Sequence, residues 1–332
     1  MKFWFDFTSP PQVHFFSPLI EHYQNKGIEI ICSAREFGET TGLLDQKKIK
    51  YHLIGKHAGG NYSKKVFSLL KRNVQLYQQI SGFDVSFSNN FEAPFITWLK
   101  GKKAIVCDDN DIAPNWLYSR FVQYVFCPKS IDVARMSKMG INKNKIIIYD
   151  GFKEDIYLAD YNPDLLFLEK LPFKKYIVVR PENLLAAYVP HNVKSIVPNL
   201  IDKLTENNFN ILYLPRYKMD YDYVKPSDNI FIPNETLNGL DVCYYADAVL
   251  TGAGSFSREA ALMGIPAVSF FAGNNFLSVD KNMFQSDKVF FSRNVDEIFN
   301  YIKNRKKKNI DFEQSKKVQK EFFQKLDNLI GV

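Results

Sequence analysis

One stretch of this chain has the spacing of an anion site. Ala248-Val-Leu-Thr reads as a short buried strand, and Gly252-Ala253-Gly254 follows it. Two residues without a Cβ allow a tight turn and a close approach of ligand to backbone. A helix then opens at Ser255 or Phe256. The unpaired N–H groups and positive dipole end of a helix start are a place for phosphate. Ser255, Ser257, Arg258 and Glu259 fall in or beside its first turn, where arginine and carboxylate can reach phosphates or ribose hydroxyls. Gly264-Ile265-Pro266 turns the chain into the next strand. A Gly-x-Gly turn alone is equally an ordinary strand–turn–helix joint, so its weight comes from its surroundings.

Further loops carry polar groups at the ends of apolar runs. Val178-Val-Arg180-Pro-Glu182-Asn183 ends one strand with a guanidinium suited to a diphosphate. Leu214-Pro-Arg216 ends another with a second arginine, and a surface salt bridge is the plainer reading of either. Cys107-Asp108-Asp109-Asn110-Asp111 crowds three carboxylates behind a strand. They can serve as a general base, orient a hydroxyl or hold a divalent metal; an Asx-rich turn capping a helix looks the same. Ser88-Asn-Asn-Phe-Glu92 occupies the analogous place after the preceding strand. Thr8-Ser-Pro-Pro-Gln-Val-His14 follows the first strand. Its prolines can hold His14 as a base titrating near neutral pH, and a nearby carboxylate would raise its basicity. A packed histidine behind a capping turn is the alternative.

Such loops converge only if strands bring them to one edge, and in open parallel sheets ligands bind beyond the carboxyl ends of the strands. Apolar runs at Lys2–Phe7, Ile28–Ala34, Tyr51–Ile54, Val85–Ser88, Ala104–Asp108, Tyr124–Cys127 and Ile146–Tyr149 alternate with helical stretches, among them Val13–Lys26, Phe37–Lys48 and Ser63–Ser81. Gly55–Tyr62 reads as a glycine-rich loop. After a loop-rich break at Asp150–Pro172 the pattern resumes, with strands at Tyr176–Arg180, Asn210–Leu214, Ile230–Ile232, Ala248–Thr251 and Ala267–Phe270. Helices are expected at His191–Asn207, Asn238–Tyr245 and Phe256–Met263. The expected fold is α/β, two doubly wound, Rossmann-like parallel sheets in tandem. A last helix, Phe312–Leu329, follows the second sheet and is free to pack elsewhere.

The segment from Gly252 to Glu259, with its Gly-x-Pro turn, is similar to the C-terminal nucleotide-binding motif of GT-B enzymes. These include the MurG-type N-acetylglucosaminyltransferases and the non-hydrolysing UDP-N-acetylglucosamine 2-epimerases. The stretches Phe5-Asp-Phe-Thr-Ser-Pro-Pro-Gln-Val-His-Phe-Phe16, Ala34-Arg-Glu-Phe-Gly-Glu-Thr40 and Val179-Arg-Pro-Glu182 resemble a domain-of-unknown-function family of archaea and bacteria that stands beside those enzymes. The resemblance covers nearly the whole chain and implies GT-B architecture, with a cleft between the two domains. It implies that a nucleotide-sugar is held by Arg180, Glu182, Asn183, Arg216, Gly252, Ala253, Gly254, Ser255, Ser257, Arg258 and Glu259. It makes His14, Glu92 and Asp109 the candidate catalytic residues, without metal or cofactor. Pro10 and Pro11 stand where the MurG-like enzymes have glycines.

Composition narrows the class. The 332 residues suffice for two domains, expected at 1–152 and 153–310, with 311–332 as a helix crossing back to the first. Aromatics reach 15%, which a biased genome explains more simply than extended binding surfaces. The formal charge is +7, dense only at Asn304-Arg-Lys-Lys-Lys-Asn309, a solvated helix end or a dock for an anionic surface. No nucleic-acid motif accompanies it, and no nucleic-acid partner is expected. Cys32, Cys107, Cys127 and Cys243 form no CxxC pair and read as buried free thiols of a reducing cytoplasm. The chain opens on a strand, and no apolar run reaches the roughly 18–20 residues of a membrane span. A cytoplasmic location is expected, with at most peripheral contact at the inner face of a membrane.

The functional expectation is glycosyl transfer from a nucleotide-sugar, a UDP-sugar, to an unidentified acceptor in cell-surface glycan or glycoconjugate synthesis. The rival is 2-epimerisation of a UDP-N-acetylhexosamine, for which Glu92, Asp108, Asp109 and Glu182 supply carboxylates. A non-catalytic sugar-nucleotide-binding protein is the third reading. The oligomeric state is left open.

Overall fold

The computed structural model describes residues 1–56, 62–186, 189–190 and 192–332. Most of the glycine-rich Gly55–Tyr62 loop, and His191, lie outside the described residues. The chain divides into two compact units, Met1–Asp160 with Ser315–Val332, and Tyr161–Gln314.

The first unit holds β1 (Lys2–Phe7), β2 (Glu29–Glu36), β3 (His52–Lys56), β4 (Val85–Ser88), β5 (Lys103–Cys107), β6 (Tyr124–Pro128) and β7 (Ile146–Tyr149). They form one parallel sheet in the order β3-β2-β1-β4-β5-β6-β7. Its helices are α1 (Pro10–Asn25), α2 (Thr40–Gln46), α3 (Tyr62–Gln79), α4 (Glu92–Leu99), α5 (Val133–Lys138) and α6 (Lys153–Leu158). The second unit holds β8 (Ile177–Arg180), β9 (Ile211–Tyr213), β10 (Ile230–Phe231), β11 (Ala248–Thr251), β12 (Ala267–Ser269) and β13 (Val289–Phe291), in the order β10-β9-β8-β11-β12-β13. Between these strands lie α7 (Val197–Glu206), α8 (Gly239–Tyr245), α9 (Gly254–Leu262) and α10 (Ser278–Gln285), followed by α11 (Val295–Asn304) and α12 (Glu313–Ile330).

Both sheets are Rossmann-like. Each order runs outward from the unit's first strand and then reverses, which creates a switch point at β1/β4 and another at β8/β11, where neighbouring loops part. The strands are buried on both faces and so read as continuous apolar runs. Phe3, Phe5, Phe87 and Tyr23 fill the first core, with Phe5 and Phe87 stacked at 4.8 Å. Val179, Leu200, Leu204, Tyr213 and Leu250 belong to the second.

Element ends differ from the expectation where proline chemistry decides. Helix α1 starts at Pro10, not Val13, because a first-turn proline has no needed N–H to lose and its φ is already helical. Helix α7 likewise starts at Val197-Pro198. Strand β13 pairs Val289 with Ala267 and adds a sixth strand; it is too short for periodicity to reveal.

Helix α12 joins the first unit from Ser315 onward. Ser315, Val318, Phe322 and Leu326 form its buried stripe. Phe322 meets Tyr149 edge-on at 5.0 Å, and Asp327 accepts from His22 at 3.1 Å and Lys26 at 2.6 Å. The four cysteines are free and buried; burial pushes the Cys32 thiol up to about 12, and the charge of Asp6 adds to this. Among the described residues no helix is long and apolar enough to cross a membrane.

Candidate functional site

In the second unit Thr251 pairs with Arg180, so the loops leaving β11 and β8 run side by side. The Gly252 N–H donates to the Arg180 carbonyl at 3.1 Å. A Cβ on Gly252 would lie 2.5 Å from the Glu182 Cα, so only glycine fits there. Thr251 Oγ1 accepts from the Ala253 N–H at 3.0 Å and turns the chain into α9. The N-cap of α9 is Ala253, which offers no side-chain cap to the positive helix end, and a Cβ on Gly254 would lie 3.1 Å from both the Arg258 guanidinium and the Asp280 carboxylate.

Arg180 points its charge at this junction. Its guanidinium carbon lies 5.5 Å from the centroid of Phe256. Its Nε is buried with no hydrogen-bond partner among the described residues. An orphaned buried donor costs about 1–3 kcal/mol. Arg216 is anchored beside it: its Nε donates to the Pro181 carbonyl at 3.0 Å, and its N–H to Asp220 at 2.8 Å. Asn183 accepts from the Tyr217 hydroxyl at 3.0 Å.

Other expected ligand groups are engaged inside the unit. Glu182 is buried, accepts from Ser195 Oγ at 2.7 Å and lies 3.0 Å from Arg293. Arg293 also donates to the carbonyls of Phe270 and Lys194. Glu182 thereby ties the β8 loop to the segment before α7. Arg258 is buried and donates to Asp280 at 2.5 Å and to Ser255 at 3.2 Å. Ser257 donates to the Gly254 carbonyl of its own helix, and Glu259 is buried.

In the first unit the β1/β4 switch point carries a buried ion network. Asp6 is fully buried and takes both ends of the Arg72 guanidinium, at 2.6 and 3.1 Å. It also accepts from Ser33 at 2.5 Å and Asn90 at 2.9 Å. Arg72 reaches Glu92 at 3.3 Å, and Arg35 stands 3.9 Å from the same oxygen. Arg35 Nε and Ser88 Oγ are buried without hydrogen-bond partners among the described residues.

The acidic run after β5 is not one cluster. Asp109 pairs with Lys153 at 2.8 Å and Asp111 with Arg135 at 3.4 Å. Asp108 accepts from the Tyr118 hydroxyl at 2.6 Å and the Asn110 N–H at 2.9 Å. Burial raises Asp108 to about 6; the Tyr118 bond opposes this and Asp109 adds to it. Among the described residues no group of three or more His, Cys, Asp or Glu could hold a metal.

His14 lies on α1 with its ring 5.8 Å from that of Tyr157 on α6. The carboxylate expected to raise its basicity is not what acts on it. Burial first, and then the charge of Lys47, lower it to about 4, so the imidazole is neutral at physiological pH.

Sequence reasoning passed over Asp6, Arg72, Arg35, Asp280 and Arg293 as site residues. Arg72 carried a signal: it falls on the stripe of α3 that also buries Leu76 and runs on to Ile80 just past the helix end, and a guanidinium on an apolar stripe requires a buried carboxylate. Arg293 lies in no motif.

Residues 1–329 match the family described as Protein of unknown function (DUF354). An uncharacterised protein of Methanocaldococcus jannaschii is 27% identical over 315 residues, 91% of this chain and 90% of that protein. The UDP-GlcNAc 2-epimerase of the same organism, solved in complex with UDP-GlcNAc and UDP, is similar with a TM-score of 0.71 at 14% identity, covering 99% of this chain and 100% of that one. The UDP-GlcNAc 2-epimerase of Neisseria meningitidis bound to UDP-GlcNAc gives 0.71 at 14% identity, over 98% and 100%. At such identity the likeness is one of fold.

Proposed function

This chain belongs to the DUF354 family, and we propose that it binds a nucleotide-sugar, a UDP-sugar, on its second unit and transfers the glycosyl group to an acceptor. The observation that carries this reading is Arg180, with a buried Nε that lacks a partner, beside the uncapped start of α9. Both features suit a diphosphate. As the sugar C1–O bond to the diphosphate breaks and a bond to the acceptor oxygen forms, charge grows on the departing UDP. Arg180, Arg216 and the α9 dipole offset that charge.

The acceptor proton goes to a base proposed on the first unit. His14 is a candidate because burial keeps it unprotonated. Asp109 is the other, a carboxylate on the loop after β5 that lies 2.8 Å from Lys153. Glu92 and Glu182 are each held by arginine, which suits positioning better than proton exchange. Glycosyl transfer needs one base.

The second reading is 2-epimerisation by elimination and re-addition of UDP. The full-length fold likeness to UDP-GlcNAc 2-epimerases favours it, as does Asp108, a carboxyl that takes up and returns a proton near pH 6. Incubation with a panel of UDP-sugars, with and without acceptor extracts, separates the two. Acceptor-dependent release of UDP is the expected result. Acceptor-independent sugar conversion selects the epimerase, and tight UDP binding with no turnover selects a binding protein. Calorimetry showing no UDP binding would sink the whole reading.

A further inference from the structure

Helix α3 buries one face and leaves a second apolar face in water. Arg72, Leu76 and Ile80 are buried, whereas Val66, Phe67, Leu70, Val74 and Tyr77 are 41, 70, 60, 56 and 49% exposed. With 3.6 residues per turn, those five occupy roughly 100° of arc. Helix α3 packs on α4, whose last turn adds Trp98 and Leu99, 53 and 46% exposed. The Lys100 ammonium lies 4.4 Å from the centroid of the Tyr77 ring and joins the two ends. A contiguous exposed apolar patch marks an interaction surface.

Charge selects the occupant. Residues 66–83 contain no Asp or Glu and carry Lys71 on the exposed side of α3, while residues 93–107 contain none and carry Lys100, Lys102 and Lys103, of which Lys102 lies 3.6 Å from Asp84. A second copy pairing through this face would bring lysines against lysines. An anionic bilayer accepts both features, since acyl chains take aromatic and aliphatic side chains while head-group phosphates take the ammonium groups. The basic run near the C-terminus fits this role less well, because it is folded onto its own unit. Arg305 pairs with Asp287, Lys307 donates to the Tyr244 carbonyl, and the Lys308 N–H donates to Gly264.

We propose that α3 and the end of α4 form a docking face that lays the first unit on an anionic membrane surface, with Phe67, Leu70, Val74 and Trp98 at the acyl boundary and Lys71 and Lys100 on phosphates. This does not rest on the nucleotide-sugar reading. The test is co-sedimentation of the full chain with vesicles of phosphatidylcholine alone and of phosphatidylcholine mixed with phosphatidylglycerol, at low and high salt. Binding to the mixed vesicles, weakened by salt, is expected. The double variant Phe67→Ser/Leu70→Ser should lose about tenfold or more in vesicle affinity, and Lys71→Glu several-fold, with unchanged thermal unfolding because all three side chains are exposed. Equal sedimentation of variant and wild type, or no binding to anionic vesicles, overturns the proposal. Concentration-dependent dimers abolished by the double variant, without vesicle binding, assign the face to a second copy instead.

Discussion

A Cβ added to Gly252 would lie 2.5 Å from the Cα of Glu182 and 2.8 Å from its Cγ. The β11 and β8 loops thus meet backbone to backbone at the switch point of the second sheet. Gly252 is required for that approach, since no left-handed φ is recorded for it. Gly252→Ala must push the Glu182 loop away, and overpacking of this kind costs about 1–3 kcal/mol. Urea unfolding should show that loss, with weaker UDP binding in calorimetry. A variant matching the wild type in both would mean the loops part freely.

Arg180 provides the sharper ligand test. Removing a guanidinium whose buried Nε has no partner among the described residues should leave the fold intact, whereas a diphosphate loses a charged partner. Arg180→Ala should weaken UDP binding by roughly 1.5–3 kcal/mol. Arg180→Lys should recover only part of it, because an ammonium is a point charge without the Nε–H. Calorimetric titration with UDP decides; unchanged affinity in a folded Arg180→Ala variant would remove Arg180 from the site.

The Asp6–Arg72 pair has a different character, with both groups buried and joined by two hydrogen bonds. Arg72→Met strands the Asp6 carboxylate in the core and should cost about 3–5 kcal/mol. Adding Asp6→Leu to that variant removes the stranded charge, so the double variant should be more stable than the sum of the single losses. Additive losses by chemical denaturation would show that the two groups do not depend on each other.

The parallel-sheet class and most strands were legible because fully buried strands read as apolar runs, and the turn at Gly252–Gly254 because glycine marks close approach. Side-chain partners were less so. Arg258 and Glu182 looked like ligand groups, and the structure holds them against Asp280 and Arg293, partners distant in sequence that no local pattern identifies. The acidic run after β5 resembled one cluster, yet Lys153, Arg135 and Tyr118 each claim one carboxylate. His14 looked like a neutral-range base, and its low proton affinity arises from packing and from Lys47, both tertiary facts.

His14 and Asp108 should leave opposite marks on the pH dependence of stability. His14 is lowered from 6.5 to about 4 in the fold, so between those values the unfolded chain binds the extra proton. Its contribution is present above pH 6.5 and is lost as pH falls through 4. Asp108 is raised from 3.8 to about 6, so there the folded chain binds the extra proton. Its contribution is present below 3.8 and is lost as pH rises through 6. Relative to His14→Leu, the wild type should therefore lose stability on acidification from pH 6.5 toward 4, with a slope of at most about 1.4 kcal/mol per pH unit. Relative to Asp108→Asn, it should lose stability as pH rises across the window from 3.8 to 6. Urea unfolding of the three proteins at stepped pH measures both slopes. A wild-type curve parallel to that of His14→Leu would mean His14 titrates near its ordinary value in contact with water, and that the α1–α6 packing around it is open.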